Sequence, residues 1–347
     1  MRRILGVLAL VVSSSSPIAA NAALSSLSDL FVFGDSLSDS GNSGVVSGGT
    51  FPPPPYYNNQ FSNGPVAVQQ LWNSFNPGNT DFKASLVGGT NYSIGGATSG
   101  ASNYLSVRPD IPPALQAQYN NLGNAWQLQT FSDQLSGGRT FDAASSLFAV
   151  WLFPNDLYYW SVTGMLPGTA AGGAGGAGDA SALIANGVNN ILYTVQTLAA
   201  SGATQFLVPN MPDLGATPAG GGDPSLTALS VAFNSNLGAG LTALDSALPS
   251  VDIAQFDTFA FFNQIIADPL AYGFTNATDA CVEHLADGQC DPSTWLFWDD
   301  VHPTTAAAAV LAGQFHAAVV PEPTTYVLLA FGLIGIGFAA RRQQARG

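Results

Sequence analysis

The chain is short of positive charge. Its 347 residues include 8 Lys and Arg against 22 Asp and Glu, which gives a formal net charge of −14. Only Lys83, Arg108 and Arg139 lie between residues 23 and 318, against 21 acidic residues, so this part of the chain carries a net charge of −18. Such a surface repels phosphate backbones and does not attract anionic lipid headgroups. The composition therefore argues against nucleic-acid binding, and any contact with lipid would be apolar.

The N-terminus has the pattern of a secretory signal. Arg2 and Arg3 precede an apolar run at residues 4–12 and a small-residue segment at 20–22. The apolar run is too short to span a bilayer. The pattern favours a signal peptide over residues 1–22, rather than a membrane anchor or a buried first strand. We therefore expect an exported protein.

The C-terminus has a second targeting pattern. Residues 320–323 (Val-Pro-Glu-Pro) precede an apolar stretch at 326–340 and then Arg341 and Arg342. In physical terms this is a short transmembrane helix with a basic stop. The layout of residues 319–347 resembles the Pro-Glu-Pro (PEP-CTERM) sorting signal of Gram-negative bacteria. The resemblance implies transient membrane anchoring, recognition by an exosortase, and delivery to the cell envelope, outer surface or extracellular space. An ordinary membrane anchor is the alternative.

Cysteine is scarce. The two cysteines, Cys281 and Cys290, lack the Cys-x-x-Cys spacing of a redox pair, which disfavours thiol redox catalysis. In an exported protein, two cysteines so close in sequence favour a disulfide around residues 282–289.

Between the two terminal signals, apolar runs typical of strands alternate with helical patterns. The strand-like runs lie at 30–33, within 84–94, and at 147–152, 205–209 and 251–256, and the helical patterns at 65–72, 181–200, 225–247 and 306–318. This alternation predicts a parallel sheet covered on both faces. We expect the Gly/Ala-rich segment 168–178 to be a mobile surface loop. The Pro-rich segment 51–63 either lines a cleft or is irregular filler.

One serine is placed for chemistry. Residues 34–37 (Gly-Asp-Ser-Leu) end the first predicted strand, and functional groups of an open parallel sheet gather at that edge. A nucleophilic serine such as Ser36 needs a base, and the base needs an orienting acid. Asp299 lies three residues before His302 and can accept the imidazole Nδ1–H, which leaves Nε2 free to deprotonate the serine. Asp300 is an alternative acid.

The chain offers two other histidines. His284 lies within the predicted disulfide loop and His316 near the end of the last predicted helix. We expect both to be surface or helix-terminal residues, because neither has a carboxylate in the same fixed relation as His302.

Two segments can supply hydrogen-bond donors to a developing oxyanion. Residues 91–97 contain Gly95 and Gly96, whose backbone N–H groups allow a ligand to approach closely. Asn155 follows the third predicted strand and carries an amide side chain. Taken singly, the glycines are as consistent with a turn as with an oxyanion site. Asn155 is likewise as consistent with a helix cap as with an oxyanion donor.

Four segments occur in order along the chain: 34–39, 91–97, 155–156 and 299–303. Together they resemble the SGNH, or GDSL, lipase/esterase family, specifically its secreted phospholipase/lecithinase-like branch, from about Ser28 to His316. The resemblance implies an α/β protein with a three-layer α/β/α flavodoxin-like domain. We expect this domain to cover residues 23–318, with a central, mainly parallel five-stranded sheet.

The resemblance also implies a chemistry. Ser36 would be the nucleophile, His302 the general base and then acid, and Asp299 its orienting carboxylate. The oxyanion hole would combine the N–H groups of Ser36 and Gly96 with the side-chain amide of Asn155. These residues would hydrolyse lipid or short acyl esters through an acyl-enzyme, without metal or cofactor. The alternatives are an exopolysaccharide O-acetyl esterase and a non-catalytic surface or matrix protein that retains the fold.

The third segment departs from the family pattern. The family usually has Gly-x-Asn-Asp, and Phe153-Pro154 precedes Asn155-Asp156 here. Proline restricts its own φ and the conformation of Phe153, so we expect an altered loop with a bulky ring near the acyl site. Residues 34–38 also lack the second glycine of a nucleophile elbow, which disfavours an ordinary α/β-hydrolase.

Overall fold

The computed structural model describes residues 24–320. The predicted signal peptide, the C-terminal apolar stretch and the basic tail lie outside this range. Within it, no helix is both long enough and apolar enough to cross a membrane.

Four parallel strands form the central sheet, in the spatial order β1-β2-β3-β4. Their bounds are β1 (Asp29–Gly34), β2 (Ser146–Trp151), β3 (Gln205–Pro209) and β4 (Asp252–Phe256). Every residue of β2 is buried, as is every residue of β1 after Asp29. Helices on both faces exclude water from these strands, which explains their continuous apolar runs.

The predicted fifth strand, within residues 84–94, is reduced to isolated bridges. Asn91 forms a parallel bridge with Val32, and the N–H groups of Tyr92 and Ile94 donate to the carbonyls of Val32 (2.8 Å) and Gly34 (3.3 Å). The prediction of five regular strands is therefore wrong by one. The buried Asn91 side chain donates instead to the Ser38 carbonyl at 2.7 Å, which ties the segment to the loop after β1. If this segment is counted as the second strand along the chain, the spatial strand order becomes 2-1-3-4-5, as in flavodoxin-like folds.

Helices cover both faces of the sheet. Their bounds are α1 (Asn42–Val46), α2 (Ala67–Phe75), α3 (Pro113–Gln116), α4 (Asn124–Ser136), α5 (Pro154–Thr163), α6 (Ala180–Ala200), α7 (Pro224–Ala247), α8 (Thr258–Ala267) and α9 (Thr305–Val319). The side chains of β1 alternate between two cores. Phe31 and Phe33 pack in the core beneath α4, α6 and α7, whereas Leu30 and Val32 pack in the core beneath α2, α8 and α9. The three-layer α/β/α prediction is confirmed, and each of the four predicted helices is present.

The Gly/Ala-rich segment 168–178 is held against α6. The N–H of Ala170 donates to Asn190 Oδ1 at 2.9 Å, and Ala170 is buried. Within the segment, the Thr169 N–H donates to the Gly173 carbonyl at 2.8 Å. A buried asparagine on the neighbouring helix therefore compensates for the segment's lack of large side chains.

A second, two-stranded parallel sheet, β5 (Asn276–Ala280) with β6 (Trp295–Phe297), lies apart from the central sheet. The predicted disulfide between Cys281 and Cys290 is present beside it. Cys281 is fully buried and packs with Trp295 and Trp298. The disulfide thus closes a loop between β5 and β6 and packs against Trp298, at the start of the segment that leads from β6 to α9.

Candidate active site

Ser36 lies immediately beyond the carboxyl end of β1. The Leu37 N–H donates to Asp35 Oδ1 at 3.0 Å, which forms a tight turn around the serine. The buried Gln127 side chain holds the end of the strand, since it accepts from the Gly34 N–H (2.9 Å) and donates to the Gly34 carbonyl (2.7 Å). The sheet edge and this turn together present Ser36 with 9% of its surface exposed.

His302 lies in the loop between β6 and α9. The N–H of Trp298 donates to the His302 carbonyl at 2.7 Å, which closes the loop. Thr304 begins α9 as its N-cap, because its side chain accepts from the Ala307 N–H at 3.2 Å. The helix predicted at residues 306–318 is confirmed, and it begins one residue earlier, at Thr305. The cap fixes the start of α9 and therefore the position of His302 in the preceding loop.

The fold brings Ser36, His302 and Asp299 together in one hydrogen-bonded line. His302 Nε2 is 2.7 Å from Ser36 Oγ, although the residues are 266 positions apart. His302 Nδ1 is 2.8 Å from both carboxylate oxygens of Asp299. Asp300, the alternative acid, is exposed. This arrangement allows Nδ1–H to donate to the carboxylate while Nε2 accepts a proton from the serine hydroxyl.

The Asp299 carboxylate remains ionised because it is well supplied with donors. Its Oδ1 accepts the N–H groups of Val301 (3.0 Å) and His302 (2.8 Å), and its Oδ2 accepts the Tyr56 hydroxyl at 2.7 Å. Burial alone would raise the pKa of Asp299. The charge of His302 and these hydrogen bonds outweigh burial, so the pKa of Asp299 lies below its usual value.

The other two histidines lie elsewhere, as predicted. His284 Nδ1 is 3.0 Å from Asp287 on an exposed turn. His316 Nδ1 is 2.8 Å from Ser74 Oγ, and its ring stacks on Phe75 with centroids 4.3 Å apart. Neither lines the cavity at Ser36.

Gly96, rather than Gly95, faces the cavity at Ser36. Gly96 has φ +75°, and a Cβ there would lie 2.5 Å from both Asn103 Oδ1 and Leu105 Cγ. Only glycine fits this conformation and this space. The N–H of Tyr104 donates to the Gly96 carbonyl at 2.7 Å, so the peptide is held in place.

Asn155 lies in the first turn of α5 and lines the same cavity. The preceding Phe153 has φ +122°, a conformation that favours glycine, and the family has glycine at this position. The expectation of a ring near the acyl site is wrong. Phe153 is fully buried and stacks on Phe233 with centroids 3.6 Å apart, because the helix at Gly187 leaves room for its ring.

Two buried acids connect the segments of the site, and sequence patterns alone did not indicate a role for either. Asp39 Oδ2 accepts the Gly95 N–H at 3.0 Å, which ties the serine loop to the glycine pair. Asp156 accepts the Ser99 hydroxyl (2.5 Å) and N–H (2.8 Å), which ties the glycine segment to α5. Burial raises the pKa of Asp39, and it raises that of Asp156 to about 7. The signal that could have found them is their place within two of the four family-like segments, 34–39 and 155–156.

The Pro-rich segment 51–63 also contributes to the site. Tyr56 contacts Asp299, as described above, and the Phe61 ring lies 5.3 Å from the imidazole of His302. Of the two interpretations left open for this segment, the structure supports lining of the cleft. The four prolines gave no signal of which aromatic residue would face the site.

The cavity at Ser36 has a volume of about 570 Å³, counting its open mouth. Gly96, Asn155 and His302 also line it, with a largely apolar remainder that includes Phe61 and Leu105. One cavity therefore holds a serine, an imidazole and the predicted oxyanion donors.

The sequence profile of the GDSL-like lipase/acylhydrolase family matches residues 30–315. The chain belongs to this family. A second profile, the PEP-CTERM protein-sorting motif, matches residues 319–343.

Three relatives of the GDSL chain show how far the similarity extends. A GDSL esterase/lipase of Arabidopsis thaliana is 27% identical over 84% of this chain and 86% of its own length. A phosphatidylcholine-sterol acyltransferase of Aeromonas hydrophila is 28% identical over 73% of this chain and 65% of its own length. An uncharacterized Pseudomonas putida protein from the trpE-trpG intergenic region is 27% identical over 89% of this chain. The chain spans 51% of the length of that last protein.

Proposed function

We propose that this protein is an exported carboxylic-ester hydrolase in which Ser36 is the nucleophile. The observation that carries the proposal is the 2.7 Å separation of Ser36 Oγ and His302 Nε2, with Asp299 at 2.8 Å on the other side of the ring. Membership of the GDSL family supports it. A protein that kept only the fold would have no need of this alignment, so the geometry favours an enzyme over a non-catalytic matrix protein.

In the proposed reaction, Ser36 Oγ attacks the ester carbonyl while His302 Nε2 takes the hydroxyl proton. The N–H groups of Ser36 and Gly96 and the amide of Asn155 stabilise the oxyanion of the tetrahedral intermediate. His302 then protonates the leaving alcohol as the C–O bond breaks, which leaves an acyl-serine. A water molecule, deprotonated by His302, releases the acid and restores the serine. Asp299 stabilises the imidazolium in both steps.

The shape of the site supports esters with an extended acyl chain. A second cavity shares three lining residues with the first, namely Leu37, Pro212 and Val301. Beyond them it is lined by aromatic and aliphatic side chains, among them Phe262 and Ile266. Apolar surface of this kind binds methylene groups favourably, by about 0.8 kcal/mol for each buried CH₂. We therefore place the acyl chain along Leu37 toward Ile266.

The sorting motif supports export. PEP-CTERM recognition implies processing by an exosortase and delivery to the cell envelope or surface. The Cys281–Cys290 disulfide fits an oxidising compartment. We propose that residues 1–22 are a signal peptide and that the C-terminal segment anchors the protein transiently before it is removed.

The export route also motivates the second candidate function, release of acetate from an acetylated exopolysaccharide of the cell surface. The two candidates differ in the acyl group, so a chain-length profile separates them. We expect the purified protein to hydrolyse p-nitrophenyl dodecanoate with a higher kcat/KM than the acetate ester, and Ser36→Ala to abolish both activities. Acetate release from acetylated glycans without long-chain activity would support the second candidate. Unchanged activity of Ser36→Ala would contradict both.

A pair of variants tests the proposed acyl path. Ile266→Trp should lower kcat/KM for the dodecanoate ester about tenfold or more, since two or three methylenes lose their apolar contacts. It should leave the butyrate ester unaffected. Val87→Trp is the matched control, because Val87 is 59% exposed and lies outside both cavities. Equal loss on both esters would contradict the placement of the chain.

A further inference from the structure

The Pro-rich segment 51–63 reaches the catalytic carboxylate through the side chain of Tyr56. The Tyr56 hydroxyl donates to Asp299 Oδ2 at 2.7 Å, across 243 positions of sequence. Burial raises the pKa of Tyr56, and the charge of Asp299 raises it further, so the hydroxyl stays protonated and remains a donor. A tyrosine in this position is a permanent hydrogen-bond donor to the carboxylate.

The hydrogen bond acts on the less constrained oxygen of Asp299. Oδ1 is already fixed by the N–H groups of Val301 and His302. Within residues 24–320, the partners of Oδ2 are the imidazole and Tyr56. Without the tyrosine, Oδ2 would keep the imidazole contact alone, and rotation of the carboxylate about its Cβ–Cγ bond would be opposed mainly at Oδ1. Such rotation would weaken the contact with His302 Nδ1, on which the tautomer of the imidazole depends.

Tyr56 is itself held rigidly. Its ring packs at 90° to that of Trp298, with centroids 6.1 Å apart, and its N–H donates to the Pro53 carbonyl at 3.1 Å. Trp298 packs in the same cluster as Cys281 and Cys290. The disulfide therefore supports the indole against which the Tyr56 ring packs. The other end of the segment is fastened where Ser62 Oγ donates to the Pro303 carbonyl at 2.9 Å.

We propose that Tyr56 is a positioning residue for the acid–base pair. Its hydroxyl holds the Asp299 carboxylate in the orientation that keeps His302 Nδ1–H engaged and Nε2 aimed at Ser36. Tyr56 does not touch the reacting atoms and acts only through Asp299. This inference rests on the proposed ester hydrolysis and adds to it a role for the Pro-rich segment.

The test is a comparison of Tyr56→Phe with Tyr57→Phe on p-nitrophenyl butyrate. The control deletes the same atom from the next residue, which is 40% exposed. Because the hydrogen bond is made to a charged carboxylate that orients the base, its loss should lower kcat of Tyr56→Phe about tenfold or more. KM and the circular dichroism spectrum at the assay temperature should stay those of the wild type. Tyr57→Phe should retain full kcat.

A double-mutant cycle tests whether the effect passes through Asp299. In an Asp299→Ala background, Tyr56→Phe should cause no further loss of kcat. A kcat within twofold of wild type for Tyr56→Phe would overturn the inference, as would an equal loss in Tyr57→Phe or an undiminished loss in the Asp299→Ala background. Ser36→Ala, assayed alongside, separates the two claims. If Ser36→Ala is inactive while Tyr56→Phe is not impaired, only the role of Tyr56 fails.

Discussion

The rings of Phe153 and Phe233 are stacked 10° from parallel with centroids 3.6 Å apart, directly behind the loop that presents Asn155. Where the family usually has glycine, this chain has Phe153, whose ring is anchored in the core between α6 and α7. The backbone nevertheless keeps a φ of +122°, as glycine would. The packing of the ring therefore offsets the strain of the backbone.

This packing predicts that the alanine and glycine variants of Phe153 differ in stability in the opposite order to the usual one. Phe153→Ala and Phe153→Gly should both be less stable than the wild type, because loss of a buried aromatic ring costs about 3–5 kcal/mol. At most positions alanine is the more stable of the two. Here the positive φ costs a non-glycine residue about 1–3 kcal/mol, so the glycine variant should be more stable than the alanine variant by about 1 kcal/mol. Guanidinium denaturation measures the difference, and an alanine variant at least as stable as the glycine variant would contradict the strain.

Asn155→Ala should damage catalysis without damaging the fold. Removal of one oxyanion donor costs about 3–4 kcal/mol of transition-state stabilisation, so kcat should fall by about two to three orders of magnitude while KM changes little. The measurement is steady-state hydrolysis of a p-nitrophenyl ester. Asn189→Ala, on the exposed side of α6, is the matched control. A kcat for Asn155→Ala within a few-fold of the control would remove Asn155 from the oxyanion hole.

Asp156 should make stability depend on pH. Burial raises its pKa to about 7 from 3.8, so the folded protein favours the protonated form. The stabilisation is fully present below pH 3.8 and is lost as the pH rises toward 7, by about 4 kcal/mol in total. Asp156→Asn removes this titration. The unfolding free energy of the wild type relative to the variant should therefore fall between pH 4 and pH 7.5, and a constant difference would contradict the buried, protonated carboxyl.

The disulfide should stabilise the loop after β5. A closed loop with a sequence separation of 9 is worth about 2–3 kcal/mol in the chain-entropy model, so Cys281→Ser/Cys290→Ser should unfold at a correspondingly lower denaturant concentration. Chemical denaturation of the two proteins under identical conditions measures the loss. An unchanged midpoint would mean that the surrounding Trp295 and Trp298 packing suffices to order the loop.

The parts of the fold and site that the sequence predicted are those that local patterns determine. Apolar strands between helices indicated the parallel sheet, and the helical pattern at 306–318 left His302 in the loop before it. The spacing of Asp299 and His302 suited one hydrogen bond, while their meeting with Ser36 was supported by resemblance to a known family. The irregular pairing at Asn91 could not be predicted from the sequence. The Asn91 side chain hydrogen-bonds to the loop after β1, and the segment forms isolated bridges instead of a regular strand.

The residues that sequence reasoning missed act through tertiary contacts. Tyr56 reaches Asp299 only because the Pro-rich segment folds back over the site, and no periodic pattern encodes that path. Phe153 was expected in the cavity because it adjoins Asn155 in sequence. Its positive φ instead turns the ring into the core, where Gly187 makes room for it. Neither outcome follows from propensity or spacing.

The most direct measurement of the central claim is the site of covalent labelling by a fluorophosphonate, mapped by mass spectrometry. The 2.7 Å contact between His302 Nε2 and Ser36 Oγ predicts one adduct, on Ser36, that forms rapidly in the wild type. His302→Ala should lose most of this reactivity because the base is gone. Absence of an adduct in the wild type, or an adduct on a serine other than Ser36, would contradict the account.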